Sequence, residues 1–141
     1  MASVMNESLS RAAAPQALLS YTHVVYALHA ASVLVGVFTA AGVLTSFLFG
    51  IPSIIGVVLN YARRREAQGT WLESHFRWQI RTFWVAAAIG LLSFIVSAPL
   101  MLVLIGFVLW WALVTLTGMW VFYRVVRGWL RLRDGREMYA D

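Results

Sequence analysis

The sequence predicts an all-α integral membrane protein, a four-helix bundle built from two helical hairpins. Three observations carry this reading. From Ala12 to Ala62, 51 consecutive residues contain no Asp, Glu, Lys or Arg, and from Thr82 to Tyr123 there are 42 more. The 141-residue chain is 61% hydrophobic and 12% charged, and a water-soluble domain of this size has too much surface to hide such runs. The apolar runs do not alternate with a period of two, and backbone polar groups in lipid must pair within helices or a closed barrel, so helices remain. A crossing takes about 20 residues, which gives each gap room for two. The same features exclude a disordered tail, a disulfide-stapled secreted module and a soluble enzyme.

Residues 1–20 are expected to form a flexible cytoplasmic tail, because Pro15 and Gln16 interrupt the Ala-rich stretch and no short signal-type apolar core follows. The first span is expected over 22–41, with Tyr21, His23 and Tyr26 suited to an interface. The second is expected over 44–62. The break between them falls at Gly42 or at Gly50-Ile51-Pro52, where proline loses a donor and restricts its predecessor.

Arg63, Arg64 and Arg65 mark the membrane exit; residues 63–81 hold five Arg and two Glu. Thr70 and Glu73 stand at capping-box spacing, ahead of an amphipathic lead-in to the third helix. There Glu73, Arg77 and Arg81 recur every four residues, and Glu73 precedes Arg77 in the favourable order for an ion pair. The third span is expected over 79–97, a break at Ser97-Ala98-Pro99, and the fourth span over 100–123. Arg124, Arg127, Trp129 and Arg131 then belong to an interfacial C-terminal extension, with a cytoplasmic tail over 134–141. Both Arg clusters fall on one side, which the positive-inside rule makes cytoplasmic, as are both termini.

The basic balance of +5 suits lipid headgroups better than nucleic acid, since the Arg residues flank apolar spans, and the absence of Lys reads mainly as composition bias. Arg63, Arg64, Arg65, Trp78, Arg124, Arg127, Trp129 and Arg131 are the expected headgroup contacts. The candidates for interaction or gating are His29 and Asn60 within the spans, with Glu73, His75, Arg77, Gln79 and Arg81 at the cytoplasmic mouth. Three His at 23, 29 and 75 and no Cys offer no metal spacing, so no metal and no cofactor is expected. The spans contain no carboxylate to build a hydrolytic site. Ser32-Gly36-Ala40, Pro52-Gly56-Asn60 and Ala86-Gly90 form small-residue stripes that allow close helix contact.

Residues Asn60-Tyr61-Ala62-Arg63-Arg64, then Thr70-Trp71-Leu72-Glu73-Ser74-His75-Phe76-Arg77-Trp78-Gln79-Ile80-Arg81-Thr82-Phe83-Trp84, resemble a family of small bacterial inner-membrane proteins. Tyr26-Ala27-Leu28-His29-Ala30 and the tail from Tyr123 to Gly135 resemble the same family. More distantly, the layout is similar to the four-helix group that includes chloroplast import channel-like proteins. The resemblance implies a multi-pass protein of the bacterial cytoplasmic membrane. The function expected here is non-enzymatic, binding or supporting a protein complex. Small oligomeric transport and lipid binding are the other two readings. Membrane lipids are the expected partners, with a membrane-protein partner or a second copy of the chain.

Overall fold

The computed structural model describes residues 14–38 and 50–139. The Gly42 break, residues 1–13 of the expected N-terminal tail and the last two residues lie outside them. Four α-helices follow in order: α1 (Gln16–Phe38), α2 (Ile51–Ala67), α3 (Leu72–Leu100) and α4 (Ile105–Arg133). Three of them are long and apolar enough to cross a membrane: α1, α3 and α4. The described part of the second expected span is α2. It opens at Gly50 with Pro52 in its first turn, where a missing N–H costs nothing. It then carries Arg64 and Arg65 in its last turn, so the arginines extend the helix instead of following it.

A tight turn joins α2 to α3. Gly69 takes the left-handed conformation, with φ 76°. The expected capping box forms differently. The Thr70 hydroxyl donates to the Ala67 carbonyl at 2.8 Å, while Glu73 reaches back one residue further, to the Gly69 N–H at 3.0 Å. Glu73 is thereby turned away from Arg77. The ion pairs among the described residues are Arg63–Glu66 and Arg133–Asp134.

The amphipathic lead-in and the third expected span are one unbroken helix. α3 also continues through Pro99, where a break was expected. A proline one residue from a helix end forfeits a single interior hydrogen bond, and helices in apolar surroundings tolerate this. The chain reverses further on, in a 3₁₀ turn at Met101–Val103 followed by Leu104 at φ 64°. Gly106 makes that reversal feasible, because a Cβ there would run into the backbone of Ser97, Leu100 and Met101. α4 then runs without interruption through the fourth expected span and the C-terminal extension.

Each helix packs on the next in chain order and α4 returns to α1; across the diagonals, α1 meets α3 narrowly and α2 does not meet α4. Tyr21 donates to the Leu59 carbonyl and His29 meets Ser53, so α1 and α2 run antiparallel. Leu18, Tyr26, Ala67, Leu72, Phe76, Val125 and Leu132 form the apolar core at the arginine-bearing end of the bundle. Elsewhere the usual distribution is inverted. Leu91, Leu92, Leu102 and Leu116 are exposed, while His29, Asn60, Gln79, Ser93 and Ser97 are buried. Only 11% and 6% of the most apolar stretches of α3 and α4 are buried. Water would penalise that surface and hydrocarbon does not, which fits a helical protein with several membrane spans.

Candidate functional site

The polar stripe at the start of α3 separates into two faces. Glu73, Arg77 and Arg81 point outward, whereas His75, Gln79 and Thr82 point into the bundle. His75 is fully buried and binds three parts of the chain. Its Nε2 lies 2.7 Å from the Arg136 carbonyl, which can only accept, so Nε2 carries the proton. Nδ1 then accepts from the Tyr26 hydroxyl at 2.9 Å. The Trp71 and Tyr26 rings meet the imidazole edge-on, with centroids 5.5 and 5.9 Å away.

The Arg136 carbonyl is aimed by the end of α4. Gly135 is left-handed; its N–H donates to Leu132 O and the Arg136 N–H to Arg131 O, the two bonds of a Schellman cap. The following residues fold back over α3. The Met138 N–H donates to Ser74 Oγ at 3.0 Å, and Arg131 donates to the carbonyls of Glu137 and Met138. On the α1 side, Gly128 makes room for Tyr26, since a Cβ there would stand 2.5 Å from the Tyr26 hydroxyl oxygen.

Above this clasp the helices border a partly open cavity of about 470 Å³. Each described helix contributes to its walls, with Tyr26, His29, Gln79, Phe94 and Trp110 among the lining side chains. Narrow contact between α1 and α3 leaves the space, and small residues widen it. Gly36 and Gly90 line it, and an added Cβ at either would meet nothing within 4 Å. Of the expected close-contact stripes, the Ser32-Gly36 and Ala86-Gly90 pairs therefore border open space; Ala40 lies outside the described residues. Gly56 does serve close contact, because a Cβ there would stand 3.2 Å from His29 Nε2. Among the described residues, no Asp, Glu, Lys or Arg lines the cavity.

His29 Nδ1 lies 3.2 Å from Ser53 Oγ, and Nε2 is buried without a hydrogen-bond partner. Both amide atoms of Gln79 are likewise unpaired on the cavity wall. Asn60 is also buried and unpaired, but it does not line the cavity. The clasp and the cavity thus bring together His29, His75 and Gln79, and leave Asn60, Glu73, Arg77 and Arg81 outside.

Several expected headgroup contacts are engaged within the protein. Trp78 is buried and its indole N–H donates to the Arg124 carbonyl at 3.1 Å. The Arg124 guanidinium stacks 3.5 Å from the Trp78 ring centroid and its Nε donates to Thr82 Oγ1 at 2.7 Å. Trp129 donates to His23 Nδ1 at 3.0 Å. Arg63 covers the Tyr21 ring, 4.6 Å from its centroid, and Arg127 donates to the Tyr123 hydroxyl. Arg64 and Arg65 are exposed.

Sequence reasoning missed Tyr26, Ser74, Thr82 and the Arg136 carbonyl as members of these networks. The signal for the last was present, since Asp134-Gly135 is a helix-ending pair that re-aims the next carbonyl. Among the described residues, no three His, Cys, Asp or Glu side chains come close enough to hold a metal ion. No family model, curated protein or solved structure matches the chain.

Proposed function

We propose that the chain is a non-enzymatic binding protein of the bacterial cytoplasmic membrane that holds a lipophilic molecule between its helices. The cavity carries this reading. At about 470 Å³ it falls within the range of small-molecule sites, and its walls are mainly apolar with a few polar groups. A binding role is favoured over chemistry by what surrounds His29. Its contact with Ser53 has the reach of a nucleophile–base pair, but Nε2 faces Gly56 and finds no acid to orient the ring.

In this reading α1 with α2 and α3 with α4 form two hairpins, and the arginine-bearing end faces the cytoplasm. Purification in mild detergent followed by mass spectrometry of extracted lipids is the test. A stoichiometric lipophile is expected in the native protein, and a Gly90→Leu variant that fills the cavity is expected to lose it. Protein recovered without any lipophile would overturn the reading.

A second reading is docking of a membrane-protein partner or a second copy of the chain. It is favoured by Glu73, Arg77 and Arg81, which project together from α3, with Arg77 5.2 Å from the Tyr139 ring centroid. Charge reversal at Arg77 and Arg81 is expected to release a co-purifying protein and leave lipid content unchanged.

A further inference from the structure

Among the described cavity-lining residues, Gln79 is the one whose entire side-chain amide is buried and unpaired. It is 2% exposed, and leaving a buried donor and acceptor unmade is costly. Its position along the cavity follows from register. α1 and α3 run in the same direction, and Tyr26 of one meets His75 of the other. One turn further along lie His29 and Gln79. The clasp therefore forms the floor of the cavity, and the Gln79 amide stands just above it. From Gln79 to Phe94 the cavity follows α3 for about 22 Å at 1.5 Å per residue. At the far end the Phe94 and Trp110 rings meet edge-on, with centroids 5.8 Å apart. Between the ends, Ala86, Ala87 and Gly90 on α3 and Gly118 on α4 keep the bore open.

The space is long and mainly apolar, and the Gln79 amide near its inner end can both donate and accept. Among the described residues no charged side chain lines it, so an ionised headgroup placed inside would lack a counter-charge from them. We propose that the cavity takes an elongated, uncharged lipophile with a single terminal hydroxyl or carbonyl group, which the Gln79 amide holds. This rests on the lipophile-binding reading above and adds to it the polarity of the ligand, its direction and the residue that reads it.

The test compares three probes of equal chain length on delipidated full-length protein in detergent: hexadecanol, hexadecane and hexadecyl phosphate. Binding is followed by native mass spectrometry and by the shift in thermal unfolding. The wild type is expected to bind hexadecanol about tenfold more tightly than either other probe, the discrimination typical of one buried hydrogen-bonding group. Gln79→Leu is near in size and removes the unpaired amide. It is expected to unfold at a higher temperature when empty, to bind hexadecane unchanged and to lose the preference for the alcohol. Gly90→Leu leaves Gln79 in place and is expected to weaken all three. Two outcomes overturn the assignment to Gln79 while the cavity reading survives. One is an alcohol preference that persists in Gln79→Leu, which would mean the amide serves an ordered water; the other is hexadecyl phosphate binding as tightly as the alcohol. Absence of binding by every probe would overturn the cavity reading itself.

Discussion

One imidazole joins α1, the start of α3 and the residues after α4. With His75 donating to Arg136 and accepting from Tyr26, each removal leaves a different partner stranded. Tyr26→Phe deletes one buried hydrogen bond and is expected to destabilise by about 1 kcal/mol. His75→Ala abandons both partners and opens a void; about 3 kcal/mol is expected. Denaturant unfolding in a fixed detergent checks both, and the double variant is expected to fall short of the sum because the residues share a bond. Gly128→Ala pushes a methyl against the Tyr26 hydroxyl, with an expected loss of about 1–3 kcal/mol. The sequence singled out His75 and Gln79 but grouped them with Glu73, Arg77 and Arg81. Helical geometry already separates them, since at 100° per residue positions 75 and 79 lie roughly 200–240° around the axis from 73. What it could not reveal is the partner of His75, a backbone carbonyl 61 residues away.

At the level of the helices, the informative comparison is Pro99 against Gly106. Proline reads as punctuation in a sequence, and the reversal was expected there. The helix passes through it and the chain turns where Leu104 is left-handed and Gly106 lets the backbone approach itself. Local propensity lost to the close meeting of α3 and α4, which only a residue without Cβ allows. Pro99→Ala is accordingly expected to change stability little, while Gly106→Ala is expected to disrupt the reversal. Leu104→Gly is expected to stabilise it by about 1 kcal/mol through relief of the positive φ. Thermal unfolding of the three variants checks the order. Helix type and approximate position were legible because long apolar stretches admit little else. The cavity was not, because it arises from the narrow α1–α3 diagonal, and the small residues that border it have the same spacing as residues that pack helices together.

For the whole molecule, the distribution of charge is what supports the orientation proposed above. Every Arg except Arg11 lies between 63 and 81 or beyond 123. The α2–α3 turn and the end of α4 meet at one pole, and the turn at Met101–Val103 stands at the other, where Leu102 is 90% exposed. The chain has no Cys, so single introduced cysteines report sidedness without background. Gln68→Cys and Glu137→Cys are expected to react with an impermeant maleimide only from the cytoplasmic face, and Leu102→Cys only from the opposite face or not at all. Labelling of Gln68 and Leu102 from the same face would contradict a crossing by α3.

The clasp also imposes an order in time. α3 leaves the ribosome with His75 ready to donate, but its acceptor is made 61 residues later. At about 5–20 residues per second that interval is roughly 3–12 s, much longer than a helix takes to form. During it α3 lacks its tie to the residues after α4, and the pole where α4 ends is open. Closure of the bundle is therefore a late event in synthesis. A chaperone or insertion factor that shelters the half-made protein would have this window in which to act, and a chain stalled within α4 would lack one wall of the cavity as well as the tie beneath it.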